Sequence, residues 1–263
     1  MRKVLATESQ QGALHGKDSV MTVTQPSQTR QSVCRYRLLP LGLLLALTAS
    51  GQPAAQETAI RFLDEAGARH ENQLAGYSVT EHYTLQASRF FEAAEMTIET
   101  LYKRGQGKSF RVVSRSGSAT MQSKVFDRLL REEGEMSRGE ARQRTLVNSR
   151  NYAIHLAGEE GIAGKICYVL EVTPRMKSAH LLQGHAWIDK ADGSLLRIEG
   201  IPTESPSFFT GHPTITREYE NIGEFWLAQS SHAISSSFLA GKTELSIEYV
   251  DYHILNDVAG AVH

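Results

Sequence analysis

Apolar and polar residues alternate with a period of two along most of this chain, the signature of strands with one covered face and one wet face. Tyr77, Val79, Tyr83 and Leu85 alternate with Ser78, Thr80, His82, Thr84 and Gln86, and Glu81 interrupts the apolar face. Met96, Ile98 and Tyr102 repeat the pattern against Thr97, Glu99 and Lys103. Gly105-Gln-Gly107 then turns the chain and residues 110–114 return, so three antiparallel strands are expected.

The period changes in two places. Residues 57–75 bring Ile60, Leu63, Gly67, His70 and Leu74 to one helical face, with Gly76 placed to stop the helix. Residues 120–146 carry Met121, Val125, Leu129 and Leu130 at helical spacing, and Arg131-Glu-Glu-Gly-Glu135 reads as a solvated helix end and loop. A second helical piece over 139–146 leads into Tyr152-Ala-Ile154. A helical insertion between two blocks of strands can serve a curved sheet as lid or plug.

The main block of strands covers 165–173, 183–189, 194–200, 214–219, 224–231, 233–239 and 243–253, with a loop rich in Pro and Ser over 201–213. Its centre is His185-Ala-Trp-Ile-Asp-Lys-Ala-Asp-Gly-Ser-Leu-Leu-Arg-Ile-Glu199, two strands about an Asp-Gly turn. A two-residue turn sets Trp187 opposite Ile198, whereas a three-residue loop with a bulge turns Trp187 outward. In the last strand Leu245, Ile247 and Tyr249 give way to Val250, Tyr252 and Ile254, a phase change that calls for a bulge.

Nearly all connections between adjacent strands are too short for a crossover helix, so the sheet must be antiparallel. The expected fold class is therefore α+β and mainly antiparallel β. About ten such strands curl into a barrel or part of one, because a large open sheet leaves its edges and an apolar face bare. A half-closed sheet of this kind, wrapped around or capped by helices, is a container for something greasy. The candidate lining and lid residues are Tyr83, Leu85, Met96, Ile98, Trp187, Ile198, Phe208, Phe209, Tyr219, Trp226, Ile247 and Tyr249. Among these, Phe208 and Phe209 sit in a loop, where an apolar pair marks a contact site.

Composition alters this picture mainly at the N-terminus. Arg35-Tyr-Arg37, then Leu38-Leu-Pro-Leu-Gly-Leu-Leu-Leu-Ala-Leu47, then small residues read as a cleavable secretory signal, too short to span a bilayer. Residues 1–56 are expected to lie outside the fold and 57–263 to form a single domain. Residues 1–56 hold six of the 28 basic and two of the 29 acidic residues, leaving 22 and 27 and a net charge of −5. With Lys and Arg scattered, nucleic acid is not an expected partner. Cys167 then stands alone in an apolar strand, a buried filler with no disulfide partner.

Chemistry-bearing motifs are few. Gly105-Gln-Gly-Lys-Ser109 lacks the first glycine of a phosphate loop and joins two strands, so it is a hairpin turn. His180 and His185 lack a third ligand at metal spacing, and no nucleophile elbow or zinc helix occurs. No enzyme activity, cofactor or metal is expected.

The order Gly164-Lys-Ile-Cys-Tyr-Val-Leu-Glu-Val-Thr-Pro174, Gly184-His-Ala-Trp-Ile-Asp189 with Asp192-Gly and Arg197-Ile-Glu-Gly200, Gly223-Glu-Phe-Trp-Leu227, and Leu245-Ser-Ile-Glu-Tyr-Val-Asp-Tyr252 resembles the outer-membrane lipoprotein-sorting proteins of Gram-negative bacteria, the LolA/LolB-like superfamily. The similarity covers roughly 57–254. It implies an unclosed half-barrel around helices that cover its mouth, and a soluble, monomeric periplasmic carrier. The implied partners are a lipid or acylated protein and membrane-anchored donor and acceptor proteins. A periplasmic sensor or protein-interaction module on the same fold is the alternative.

Overall fold

The computed structural model describes residues 51–89, 93–206, 211–237 and 241–255. The expected signal segment before residue 51 and the Phe208-Phe209 pair lie outside the described residues. Helix α1 (Gly51–Gln73) precedes strands β1 (Gly76–Ala87), β2 (Ala94–Lys103) and β3 (Gly107–Gly117). A helical insertion follows, in which α2 (Ala119–Met121) runs through a π-helical stretch, Gln122–Phe126, into α3 (Asp127–Met136), and α4 (Gly139–Thr145) comes next. The remaining strands are β4 (Tyr152–Ile162), β5 (Lys165–Pro174), β6 (Leu182–Asp189), β7 (Leu195–Pro202), β8 (Thr214–Ile222), β9 (Phe225–Ser237) and β10 (Gly241–Leu255).

All ten strands belong to one antiparallel sheet in the order β3-β2-β1-β10-β9-β8-β7-β6-β5-β4. Strands β3 and β4 are its two edges and do not pair with each other, so the barrel is unclosed. It is nevertheless strongly curved. Tyr83 and Met96 near one edge share a single core with Ile154 and Leu170 near the other. A flat sheet of this width could not bring them together.

Several elements differ from expectation for identifiable reasons. Helix α1 starts at Gly51, and the Gln56 carboxamide accepts a hydrogen bond from the Leu156 amide at 3.1 Å, so the ordered helix crosses the boundary expected at residue 57. Residues 131–135 are the end of α3 with Arg131 and Glu135 exposed, as expected, but they hold no loop: Gly134 is buried against the Phe110 ring and Glu133 is paired to Lys108. Strand β4 is much longer than Tyr152-Ala-Ile154, because Gly158 and the exposed Glu159 and Glu160 hide its alternation. The strands expected over 224–231 and 233–239 are one strand, β9, since the Ser230-Ser231 pair does not turn the chain.

In the β6–β7 hairpin Ile188 pairs with Leu195 and Trp187 with Arg197, with an irregularity between them. Ile188 is fully buried and Trp187 points to the outer face, where its indole donates to Glu160 at 2.8 Å. The phase change in β10 is also real. The β1–β10 register slips between Ser78 and Thr80, leaving Asp251 in the left-handed region at φ 57°.

Candidate functional site

One lateral row of residues crosses the concave face: Ala186, Ile198, Arg217, Ser231, Ile247, Tyr83 and Met96 are successive cross-strand partners from β6 to β2. At the β1–β2 end the row is filled. Phe126 of the π-helical stretch is fully buried and meets the Tyr83 ring edge-on at 5.7 Å. The Gln122 carboxamide holds that stretch down by donating to the carbonyls of Glu95 (2.7 Å) and Ser116 (2.8 Å).

Beyond Ile247 the row opens at Arg217, its one exposed member, before closing again at the buried Ile198 and Ala186. Between α1, the segment 142–150 and strands β6 to β9 lies a cavity of about 1100 Å³. Its floor is largely apolar and aromatic, with Leu182, Leu195, Ile198, Tyr152 and Tyr219, and Phe225 and Trp226 stand at its side. Helix α1 spans it as a strap fixed by polar pins at its edge. The Asp64 carboxylate accepts from the Ser149 amide at 2.9 Å and from its hydroxyl at 2.5 Å. Glu71 receives the Arg142 guanidinium through both oxygens, and that guanidinium lies 4.9 Å from the Tyr102 ring centroid. Arg69 donates to the Asp192 carbonyl at 2.7 Å. The turn after β6 presses close enough that a Cβ on Gly193 would lie 2.2 Å from the Phe62 carbonyl oxygen, and its φ of 77° also calls for glycine.

Of the charges that line the cavity and serve no pin, such as Arg150, Glu224 and Arg217, the last stands on a strand. The β8 alternation puts Ile215, Arg217 and Tyr219 on the concave side, with Ile215 in the core and Arg217 solvent-accessible through the cavity. Arg217 has no hydrogen bond or ion pair among the described residues. Burial opposes its charge, but Tyr219, Tyr249 and Glu133 outweigh that and hold the guanidinium above its usual range. Glu133 itself is engaged by Lys108. Nearby, burial and then the Arg217 charge hold the His180 imidazole below its usual value, against an opposing pull from Glu132. Burial pushes the Tyr152 phenol up to about 12, so it stays a proton donor.

The candidate residues expected to line one trough separate accordingly. Ile198, Tyr219 and Trp226 border the cavity. Tyr83, Leu85, Met96, Ile98 and Ile247 are buried in the filled part, and Tyr249 packs against it. Trp187 is on the opposite face of the sheet, as the register requires. Arg217, Tyr152 and His180 were not anticipated. A cation at an inward position between Ile215 and Tyr219 is the signal that marks Arg217 in the sequence. Among the described residues no group of three His, Cys, Asp or Glu side chains is placed to hold a metal ion. No helix among them is long and apolar enough to cross a membrane.

No family model and no curated protein matches the chain. Solved structures do. A LolA superfamily protein from Nitrosomonas europaea is 11% identical, with a TM-score of 0.42, 76% of this chain covered and 94% of that one. A putative outer membrane lipoprotein-sorting protein domain from Vibrio parahaemolyticus is 14% identical, with a TM-score of 0.45, 77% of this chain covered and 94% of that one. A DUF1329 family protein from Desulfovibrio piger is 13% identical, with a TM-score of 0.38 and coverage of 80% and 94%.

Proposed function

We propose that the protein is a non-enzymatic carrier that holds the acyl part of a lipid or acylated protein in the cavity under α1, and that it works in the periplasm after export. The observation that carries this reading is the cavity itself: about 1100 Å³ over an apolar floor, inside a sheet that does not close. Sites for small molecules run to roughly 300–1,000 Å³, so the space suits a bulky or chain-like guest. Each methylene moved from water to such a floor contributes about 0.8 kcal/mol. Helix α1 is held by buried Ala59 and Leu63, and by Leu74 just past its end, as well as by the polar pins at the rim, so a guest enters beside it with the helix in place.

Delipidated protein is expected to take up a fluorescent fatty acid or an acylated peptide at one per chain, and native mass spectrometry of exported protein to reveal a copurifying lipid. Absence of uptake with both probes rejects the proposal. A second reading, a protein-interaction module, draws on the β3 edge, where Val112 and Val113 are 42% and 51% exposed beside unpaired backbone groups. A stoichiometric protein partner bound by a lipid-free form would favour it.

A further inference from the structure

A strand position facing a container for acyl chains is ordinarily aliphatic, and the cross-strand partners of Arg217 are Ile198 on one side and the small Ser231 on the other. Ser231 leaves room for a guanidinium to extend into the cavity. Several charges at the cavity edge are neutralised in pairs, as in Glu71 with Arg142, or by hydrogen bonds, as in Asp64 with Ser149, and the cavity-lining Arg150 and Glu224 lie outside the sheet strands. Arg217 has no such partner among the described residues, and the nearby carboxylate of Glu133 is taken by Lys108. In the empty cavity water solvates the guanidinium. A guest that displaced this water with hydrocarbon alone would strand a charge without a counter-ion.

We infer that the guest is an anionic amphiphile whose carboxylate or phosphate pairs with Arg217 while its chain lies along the apolar floor beneath α1. The planar guanidinium fork matches the two oxygens of either oxyanion. A second donor stands close by. The Tyr152 hydroxyl accepts from the Leu182 amide at 3.3 Å, which leaves its own proton free for an anion. Leu195 and Ile198 continue the floor away from the charged end.

This inference rests on the carrier reading, and its test separates the two. Calorimetric titration at pH 8 compares hexadecanoate with hexadecanol, a matched chain without charge, on the delipidated full chain. The wild type is expected to favour the acid by about tenfold or more, the discrimination that roughly 1.4 kcal/mol supplies. Arg217→Gln is expected to bring that ratio close to one, by weakening hexadecanoate binding and by relieving the stranded charge that opposes hexadecanol, and Arg217→Lys to keep part of the preference. Retained alcohol binding also shows that the variant folds. Equal affinity of the wild type for both chains overturns the inference and leaves the carrier reading standing, as does an unchanged preference in Arg217→Gln. Inorganic phosphate that excludes hexadecanoate at equal concentration also overturns it, since the site would then take a free anion. Binding of neither chain rejects the carrier reading itself.

Discussion

The two ends of one cross-strand row meet opposite fates. Ile247, Tyr83 and Met96 are at most 6% exposed, with Phe126 packed on the Tyr83 ring, whereas Arg217 and Tyr219 on β8 face a cavity bordered by α1. The strands are alike in pleat, register and hydrogen bonding, so the sheet does not cause the difference. What lies above it does. The helical insertion brings a large ring and a glutamine anchor down onto β1 to β3, while α1 crosses β6 to β9 on polar pins at their edge. Packing at one end and vacancy at the other are set by the covering helices.

Four substitutions sharpen this contrast. Phe126→Ala, in the filled part, is expected to cost about 3–5 kcal/mol in urea unfolding, because it opens a hole where none existed. Tyr219→Ala, beside the existing cavity, is expected to cost no more than about 1 kcal/mol. Equal losses would mean that the two ends are packed alike. Gly193→Ala is expected to cost about 1–3 kcal/mol and to speed hydrogen exchange in α1, since it combines an unfavourable φ with a clash at the Phe62 carbonyl. Unchanged exchange in α1 would show that the strap does not depend on the β6–β7 turn.

The fourth concerns Glu81, which is fully buried on the concave face, with the Tyr83 hydroxyl donating to one carboxyl oxygen at 2.6 Å and no partner on the other. Burial raises its pKa above 4.5, against the opposing pull of Lys108. A carboxyl whose protonated form the fold favours contributes its stability fully below pH 4.5, and the contribution is lost as pH rises through the raised value. Glu81→Gln keeps the acceptor for Tyr83 and adds a donor beside the unpartnered Thr100 hydroxyl. Its stability relative to wild type should therefore rise with pH above 4.5, and parallel stability curves would refute this.

The smallest effect is a titration. His180 is held low by burial and by the Arg217 charge, so Arg217→Gln should raise its pKa, as should an anionic guest that neutralises the guanidinium. Nuclear magnetic resonance of the His180 ring reads both shifts. A downward shift on anion binding would place the guest elsewhere.

Much of the architecture was legible in the chain. The alternation from Tyr77 to Leu85, the glycines about Gln106 and the phase change in β10 each correspond to an observed strand, turn or bulge. The full length of β4 was not legible, because its outward Glu159 and Glu160 sit between two glycines and mimic a loop. The division into filled and hollow ends was hidden for a deeper reason. Inward positions look the same in sequence whether a ring or a void lies opposite, so Tyr83 and Tyr219 could not be told apart. Arg217 broke the alternation visibly, but a lone cation on a strand is more often turned to solvent, and only the register puts it inside.

The pairing of β1 with β10 has a consequence for assembly. Every other neighbouring pair in the sheet joins strands consecutive in sequence, so β1 to β3 and β4 to β10 can each form by zipping local hairpins. Their union closes a loop of most of the chain, the kind of step that comes late in folding. During synthesis from the N-terminus, the two meanders stay apart until β10 has emerged.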